Sequence, residues 1–462
     1  MAGIGFTLER LMNKGTFKGF AQAYVFSAVV ATGPWLVSTL CLAFLSTLAP
    51  ESMDKDLVKF RAVVTYSYMA SLVFAGFWQM VITRLIADRL YVSDTEAMAP
   101  GFLTSGVLVA ASSALIALGA VSCFEESLTV KVFSASIFVF VCLIWHVMIF
   151  LSAASGYFAI VRSFLIGSLM GVMGCIAFGR LHGLVGYLAG FALGQASVWA
   201  FLAVRLLVEF PSGKLLSRDV FRAFTKYPIH ILVGGFYNLG IWIDKLVFWA
   251  SPLATANLGI LCTYPTYDRA LFIAYLSIVP TFTVFLITVE TNFSRRFNDF
   301  FAAILTQKSL PEIRFCHEAM GRALDDGVGR LLKIQGAVSL LAMVFTEPIA
   351  VLTGLPPESI GILRVAFLAV FLHAIFLILL LIVLYLDVRK VALFLTSMFC
   401  FLNFALTYIS LKLGPVTFGY GYVFASLIAC LTAYILLKRR FHDMIWRTFN
   451  NLDIPEPAVD DV

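Results

Sequence analysis

The sequence predicts an all-α polytopic membrane protein, with twelve transmembrane helices in two six-helix lobes around a central cavity. Three observations carry that expectation. Of 462 residues, 61% are hydrophobic and 13% charged, and the mean hydropathy is +0.93, more apolar surface than a soluble core buries. A window of about 20 residues, the length that crosses a bilayer, finds twelve segments. They are centred near Ala31, Ala70, Ser112, Cys142, Ser168, Gly194, Asn238, Ser277, Leu341, Leu372, Cys400 and Leu427. The two halves also share local patterns in the same order, which points to parallel repeats and a cavity at their interface. The spans read as helices because lipid-exposed backbone must satisfy its own hydrogen bonds and no alternating barrel pattern occurs.

Residues 1–18 form an amphipathic N-terminus, and the first apolar run continues to Leu48 without a cleavage site, so it reads as a retained helix. Residues 19–208 make the first lobe, the polar stretch 209–226 a linker, and 227–438 the second lobe, leaving 439–462 as a tail. The repeat rests on Phe158–Arg162 against Tyr385–Arg389 and on GYLAGFA (Gly186–Ala192) against GYGYVFA (Gly419–Ala425). The loop 293–330 has helical apolar spacing, with Ile313, Cys316, Met320 and Leu324 on one face. It reads as a helix on the membrane surface or a docking face for a cytoplasmic partner.

With both termini on one side, 24 of the 33 Lys and Arg fall on that side, which the positive-inside rule makes cytoplasmic. The net charge of +6 is thus a topology signal and gives no reason to invoke nucleic acid. The eight cysteines are scattered, with no CxxC and no His at ligand spacing, so neither a disulfide frame nor a metal site follows, and no cofactor is expected.

Asp244 and Lys245 lie in the apolar run 234–250. Each ionisable group at a helix centre costs about 2.5–3.5 kcal/mol on insertion scales, so such residues pair, reach water or serve function. Neighbours on a helix point about 100° apart, which predicts a separate partner for each. Two readings stand. In one, Lys245 reaches the outer interface and Asp244 caps or pairs locally with Asp268 or Arg269; in the other, Asp244 couples a cation or a proton, or contacts substrate. Tyr237, Asn238 and Trp242 lie on the same candidate path with Trp35, as aromatic and polar contacts for sugars. Gly33-Pro34 should kink span one, and Gly234, Gly235 and Gly240 should weaken span seven, a paired interruption that suggests hinges. Glu290 with Arg162 or Arg389 is a candidate inner gate, against a solvated helix-end carboxylate. Gly167-x3-Gly171 and Gly186-x3-Gly190-x3-Gly194 read as close packing, and His146 and His373 as packing histidines. Asp54-x-Asp56 raises a membrane glycosyltransferase, but every outer loop is short, and no nucleotide-binding loop occurs.

Several segments carry a family resemblance: MAGIGFTLERLM at the start, ATGPW (Ala31–Trp35), QMVITRLIADRLY (Gln79–Tyr91), FYNLGIWIDKLVFW (Phe236–Trp249), AYLSIVPTFTVFLITVET (Ala274–Thr291) and LLKIQG (Leu331–Gly336). They resemble the PelG family of Pel exopolysaccharide exporters, within the MOP flippase superfamily. The resemblance implies a MATE-like fold of two lobes working by alternating access. It implies an N-acetylhexosamine polymer moved from cytoplasm to periplasm through the bacterial inner membrane, for the biofilm matrix. It also implies PelD, PelE and the glycosyltransferase PelF as partners. It carries over no site residue. The alternatives are a MOP-type exporter of lipid-linked oligosaccharide or drugs, and the glycosyltransferase.

Overall fold

Helices dominate because the chain offers long apolar runs, whose backbone must satisfy its own hydrogen bonds in lipid. The computed structural model describes residues 54–151, 157–258, 260–288 and 292–450; span one, with Gly33, Pro34 and Trp35, and Glu290 lie outside them. In chain order the helices are α1 (Asp54–Tyr91), α2 (Met98–Ser122), α3 (Leu128–Leu151), α4 (Tyr157–Glu209), α5 (Asp219–Lys226) and α6 (Pro228–Trp249). A hairpin of β1 (Thr255–Leu258) and β2 (Leu261–Thr263) follows, then α7 (Pro265–Leu276), α8 (Val279–Thr288), α9 (Ser294–Leu305) and α10 (Leu310–Val344). The chain continues through α11 (Thr346–Leu352), α12 (Glu358–Tyr385), α13 (Arg389–Leu413), α14 (Tyr420–His442) and α15 (Met444–Asn450). Among the described residues nine helical segments are long and apolar enough to cross a membrane.

One of the nine, α4, is two antiparallel spans joined by a turn at Gly183, whose φ of 56° suits glycine. Asp56 of α1 caps the turn, accepting from the Leu184 amide at 3.2 Å. That gives one carboxylate of the DxD pair a structural job. The two glycine series meet across this hairpin: a Cβ on Gly174 would stand 2.9 Å from Gly190 Cα, and one on Gly194 2.6 Å from Gly171 Cα. The small-residue stripes therefore pack backbone against backbone. The repeat is only partly visible locally. Residues 158–162 are helical within α4, whereas 386–388 form a turn between α12 and α13.

Most buried residues separate by half, although a small cluster joins Val81 to Ala223 and Tyr227. One core runs from Val233 to Phe441 entirely within the second half. Two others gather residues 57–206, and one of these also takes in Leu258 and Leu261 of the hairpin. The halves meet where α1 crosses α6. A Cβ on Gly76 would lie 2.5 Å from the Gly234 carbonyl oxygen, and one on Gly234 2.1 Å from that of Gly76.

Two expectations need correction. Span seven was expected to be interrupted at Gly234, Gly235 and Gly240, but α6 runs unbroken from Pro228 to Trp249. Its glycines make room for neighbours: Gly234 for Gly76, Gly235 for the Phe77 ring, Gly240 for Phe399 and Cys400. In lipid, a glycine packed by another helix stays helical because unwinding would strand backbone polar groups. The second correction concerns the loop 293–330. It is not separate from span nine, since one 35-residue helix, α10, runs from Leu310 to Val344. The expected apolar face is real, with Ile313, Met320 and Leu324 buried. It is covered by the chain itself, because His317 Nε2 lies 3.0 Å from the Phe441 carbonyl and Lys438 Nζ donates to Asp325 at 2.6 Å. That face is therefore not open to a partner or a membrane surface.

Candidate functional site

The sequence places two charges in α6, and the fold closes an aromatic cage over them. Asp244 is fully buried and Lys245 is 6% exposed. Lys245 Nζ donates to both carboxylate oxygens of Asp244, at 3.2 and 3.3 Å, and to the Ile241 carbonyl at 3.2 Å. The expectation of separate partners thus fails. Backbone directions differ by about 100°, but the flexible four-carbon lysine stem turns back far enough to reach its neighbour. Lys245 does not extend to an interface, and Asp244 does not pair with Asp268 or Arg269. Its second contact is the Tyr267 hydroxyl of α7, donating at 2.9 Å.

Aromatic rings complete the enclosure. The ammonium lies 5.3 Å from the ring centroids of both Trp242 and Tyr275, within cation–π range. Tyr275 and Tyr422 of α14 share a hydroxyl contact of 2.6 Å. One layer away, Tyr237 stacks on His373 of α12, its hydroxyl 3.3 Å from Nε2. His373 Nδ1 and Trp242 Nε1 are buried with no hydrogen-bond partner among the described residues. Asn403 of α13 donates to the Gly240 carbonyl at 2.9 Å.

The other sequence candidates distribute differently. Asn238 donates to the Gly234 carbonyl at 3.1 Å and faces the Gly76 crossing, so it belongs to the α1–α6 contact. His146 is fully buried, 2.7 Å from Ser105 Oγ through Nε2 and stacked on Phe102. Arg162 is exposed on α4, and its proposed partner Glu290 lies outside the described residues. Arg389 instead pairs with Asp387 at 2.7 Å and lies 5.3 Å from the Tyr227 ring centroid. Arg84 and Lys226 approach the same ring, at 5.8 and 4.9 Å. The Tyr227 hydroxyl donates to Asp88, which also pairs with Arg84 at 3.2 Å. This cluster ties α1, α5 and α13 together at one end of the bundle. At Asp387 burial raises the carboxyl pKa, but the Arg389 hydrogen bond and charge, with Arg84 and His230, outweigh it and leave the group below its ordinary value.

At the opposite end, the hairpin from the second half docks on the first. Tyr66 of α1 donates its hydroxyl to the Cys262 carbonyl at 2.7 Å, and its ring stacks on Trp249 at 4.5 Å. Trp249 Nε1 donates to Asp268 at 2.9 Å. Sequence reading missed this clasp and the tyrosines around the ion pair. Tyr267 and Tyr275 are eight residues apart, close to one face of a helix, and that spacing was the available signal.

This fold is that of a multi-pass transporter. It is similar to the outward-facing conformation of a multidrug resistance MATE family transporter of the MOP superfamily, with TM-score 0.61 and 15% identity over 92% of this chain and 95% of that one. The inward-facing conformation of such a transporter gives 0.63 at 15% identity, over 91% and 99%. A MOP superfamily transporter from Pyrococcus furiosus, whose structure is titled "Reverse polarity of binding pocket suggests different function", gives 0.63 at 15% identity, over 91% and 95%. At these identities the likeness shows the fold. A comparison with curated proteins finds no match. The family model "PelG: Putative exopolysaccharide Exporter (EPS-E)" matches residues 1–449, and the chain belongs to that family. It is a membrane exporter and not an enzyme.

Proposed function

We propose that this chain exports a Pel-type polymer of N-acetylated hexosamines from cytoplasm to periplasm across the bacterial inner membrane. The family match over residues 1–449 carries the reading. The buried pair Asp244–Lys245 with Trp242 and Tyr237 gives it a chemistry. Aromatic faces suit sugar rings, and buried charges inside a membrane bundle are kept where transport uses them. Both termini face the cytoplasm in this proposal. Arg84, Lys226 and Arg389 meet at one end of the bundle, while Lys59–Glu126 and Arg364–Glu347 pair elsewhere, as the charge partition expects.

In the proposed cycle residues 19–208 and 227–438 rock as lobes about the Gly76–Gly234 crossing. The cytoplasmic Tyr227 cluster and the hairpin clasp at Tyr66 close opposite ends. Arg389 acts at the inner closure through Tyr227. Glu290 and Arg162, and a hinge at Gly33-Pro34, remain candidates of the same proposal. PelD, PelE and PelF are the proposed partners, meeting the basic linker 209–226 and the charged outer face of α10.

Deletion of the chain, with secreted and cell-associated N-acetylhexosamine polymer measured separately, tests the proposal. Loss of secreted polymer with synthesis continuing, restored by the wild-type chain, supports it. Unchanged secretion refutes it.

A further inference from the structure

Buried carboxylates in membrane bundles need a cation, and the geometry around Asp244 shows which one it has. Three oxygens converge on the Lys245 ammonium: both carboxylate oxygens of Asp244, at 3.2 and 3.3 Å, and the Ile241 carbonyl at 3.2 Å. Two aromatic faces, Trp242 and Tyr275, close the site at 5.3 Å each. The Tyr267 hydroxyl donates to Oδ2 of the same carboxylate at 2.9 Å. Oxygen donors plus ring faces, with no thiolate or imidazole in direct contact with the ion among the described residues, make a hard, singly charged cation pocket. It is already filled, by a cation attached to the adjacent residue.

We infer that Lys245 is a tethered cation occupying a monovalent-cation site built around Asp244. The site takes no exchangeable alkali ion while the lysine is present, and it becomes an alkali-cation site when the ammonium is removed. The inference deepens the reading of Asp244 as a charge on the transport path. Export coupled to an alkali ion would then not use this carboxylate. What responds as α6 and α7 separate is the enclosure and not the pair itself, because the Tyr267 hydrogen bond and the Tyr275 ring come from α7 while both charges stand on α6.

The alternative local reading is a buried pair that merely neutralises itself. It differs in one respect: nothing should bind when half of such a pair is removed. A direct binding test separates the two.

The experiment uses the purified full-length chain in detergent. Melting temperature is followed while NaCl, LiCl or KCl replaces choline chloride at constant ionic strength. Wild type should melt at the same temperature in all four salts. Lys245→Met, which keeps the stem and removes the charge, should gain a saturable, ion-selective rise of several degrees, as binding to the native state requires. Asp244→Asn/Lys245→Met should lose that rise, assigning it to the carboxylate. A saturable alkali-ion shift in wild type overturns the inference, as does a Lys245→Met protein indifferent to every cation. Should Lys245→Met fail to accumulate, Lys245→Ala grown with and without millimolar propylammonium reads the same pocket. Recovery of folded protein by the amine is expected, and no recovery overturns the inference. Because the readout is ion binding, a failure here leaves the polymer-export reading standing. Loss of that reading by gene deletion likewise leaves the ion pocket standing.

Discussion

Removing one charge of the Asp244–Lys245 pair should harm the fold more than removing both. At 3.2 Å and an effective dielectric constant of about 20, two unit charges attract by about 5 kcal/mol. Taking both from water costs a similar amount, so the pair as a whole contributes little net stability. Asp244→Asn breaks that balance. It keeps the shape and an acceptor for Tyr267, but leaves an ammonium buried at 6% exposure without a counter-charge. Stranding one member of a buried pair costs about 3–5 kcal/mol. Asp244→Asn/Lys245→Met removes both charges at nearly constant volume and should lie within about 2 kcal/mol of wild type. The assay ranks melting temperature in detergent and membrane abundance by blot for wild type, both single variants and the double, in choline chloride so that no alkali ion fills the vacated place. A double variant as unstable as Asp244→Asn would refute the reasoning, since it would show that Asp244 stabilises through something other than its charge balance with Lys245. The double variant also gives the cleanest view of transport, because it should fold while lacking both charges.

Further predictions concern the contacts between the halves. Gly76→Val should cost at least about 1–3 kcal/mol by overpacking, because even a Cβ would meet the Gly234 carbonyl at 2.5 Å; abundance and melting temperature check it, with Gly119→Val, where a Cβ meets nothing within 4 Å, as the control. Tyr66→Phe removes the hydroxyl that donates to the Cys262 carbonyl at 2.7 Å and accepts its amide at 3.2 Å. Hydrogen exchange across 255–263 should rise, with a loss of about 0.5–1.5 kcal/mol per bond. The Asp387–Arg389 contact should depend on pH in one direction only. A carboxylate held below its ordinary pKa stabilises the fold fully above that ordinary value and loses its contribution as pH falls through the lowered one. The melting-temperature gap between wild type and Asp387→Asn should therefore be constant near neutrality and close on acidification. Trp242→Phe, which preserves a ring face for the Lys245 ammonium, should leave melting temperature nearly unchanged but lower secretion if the indole contacts sugar.

Much of the fold was legible in the chain because a bilayer allows so few solutions. A run of about 20 apolar residues must be helical there, so the expected centres from Ala70 to Leu427 fall on helices or, at Ser277, on the break between α7 and α8. The glycine series in α4 announced its packing because in lipid only small residues let backbones touch. The sequence also named the two buried charges, since an ionisable pair inside an apolar run is costly wherever it lies.

What the sequence could not supply is which way a side chain turns and which distant helix meets it. Lys245 pairs with its own neighbour because its stem is long enough to fold back, a choice made by the rings of Trp242 and Tyr275 that accept the ammonium. Gly234 is a packing surface because Gly76, 158 residues earlier, lies against it. The amphipathic face of α10 is closed by Phe441 and Lys438, over a hundred residues later. Composition and periodicity determined that this chain spans a membrane as helices, and where its charges are buried. Tertiary structure alone decided their partners, because those contacts depend on long-range packing that leaves no local period in the sequence.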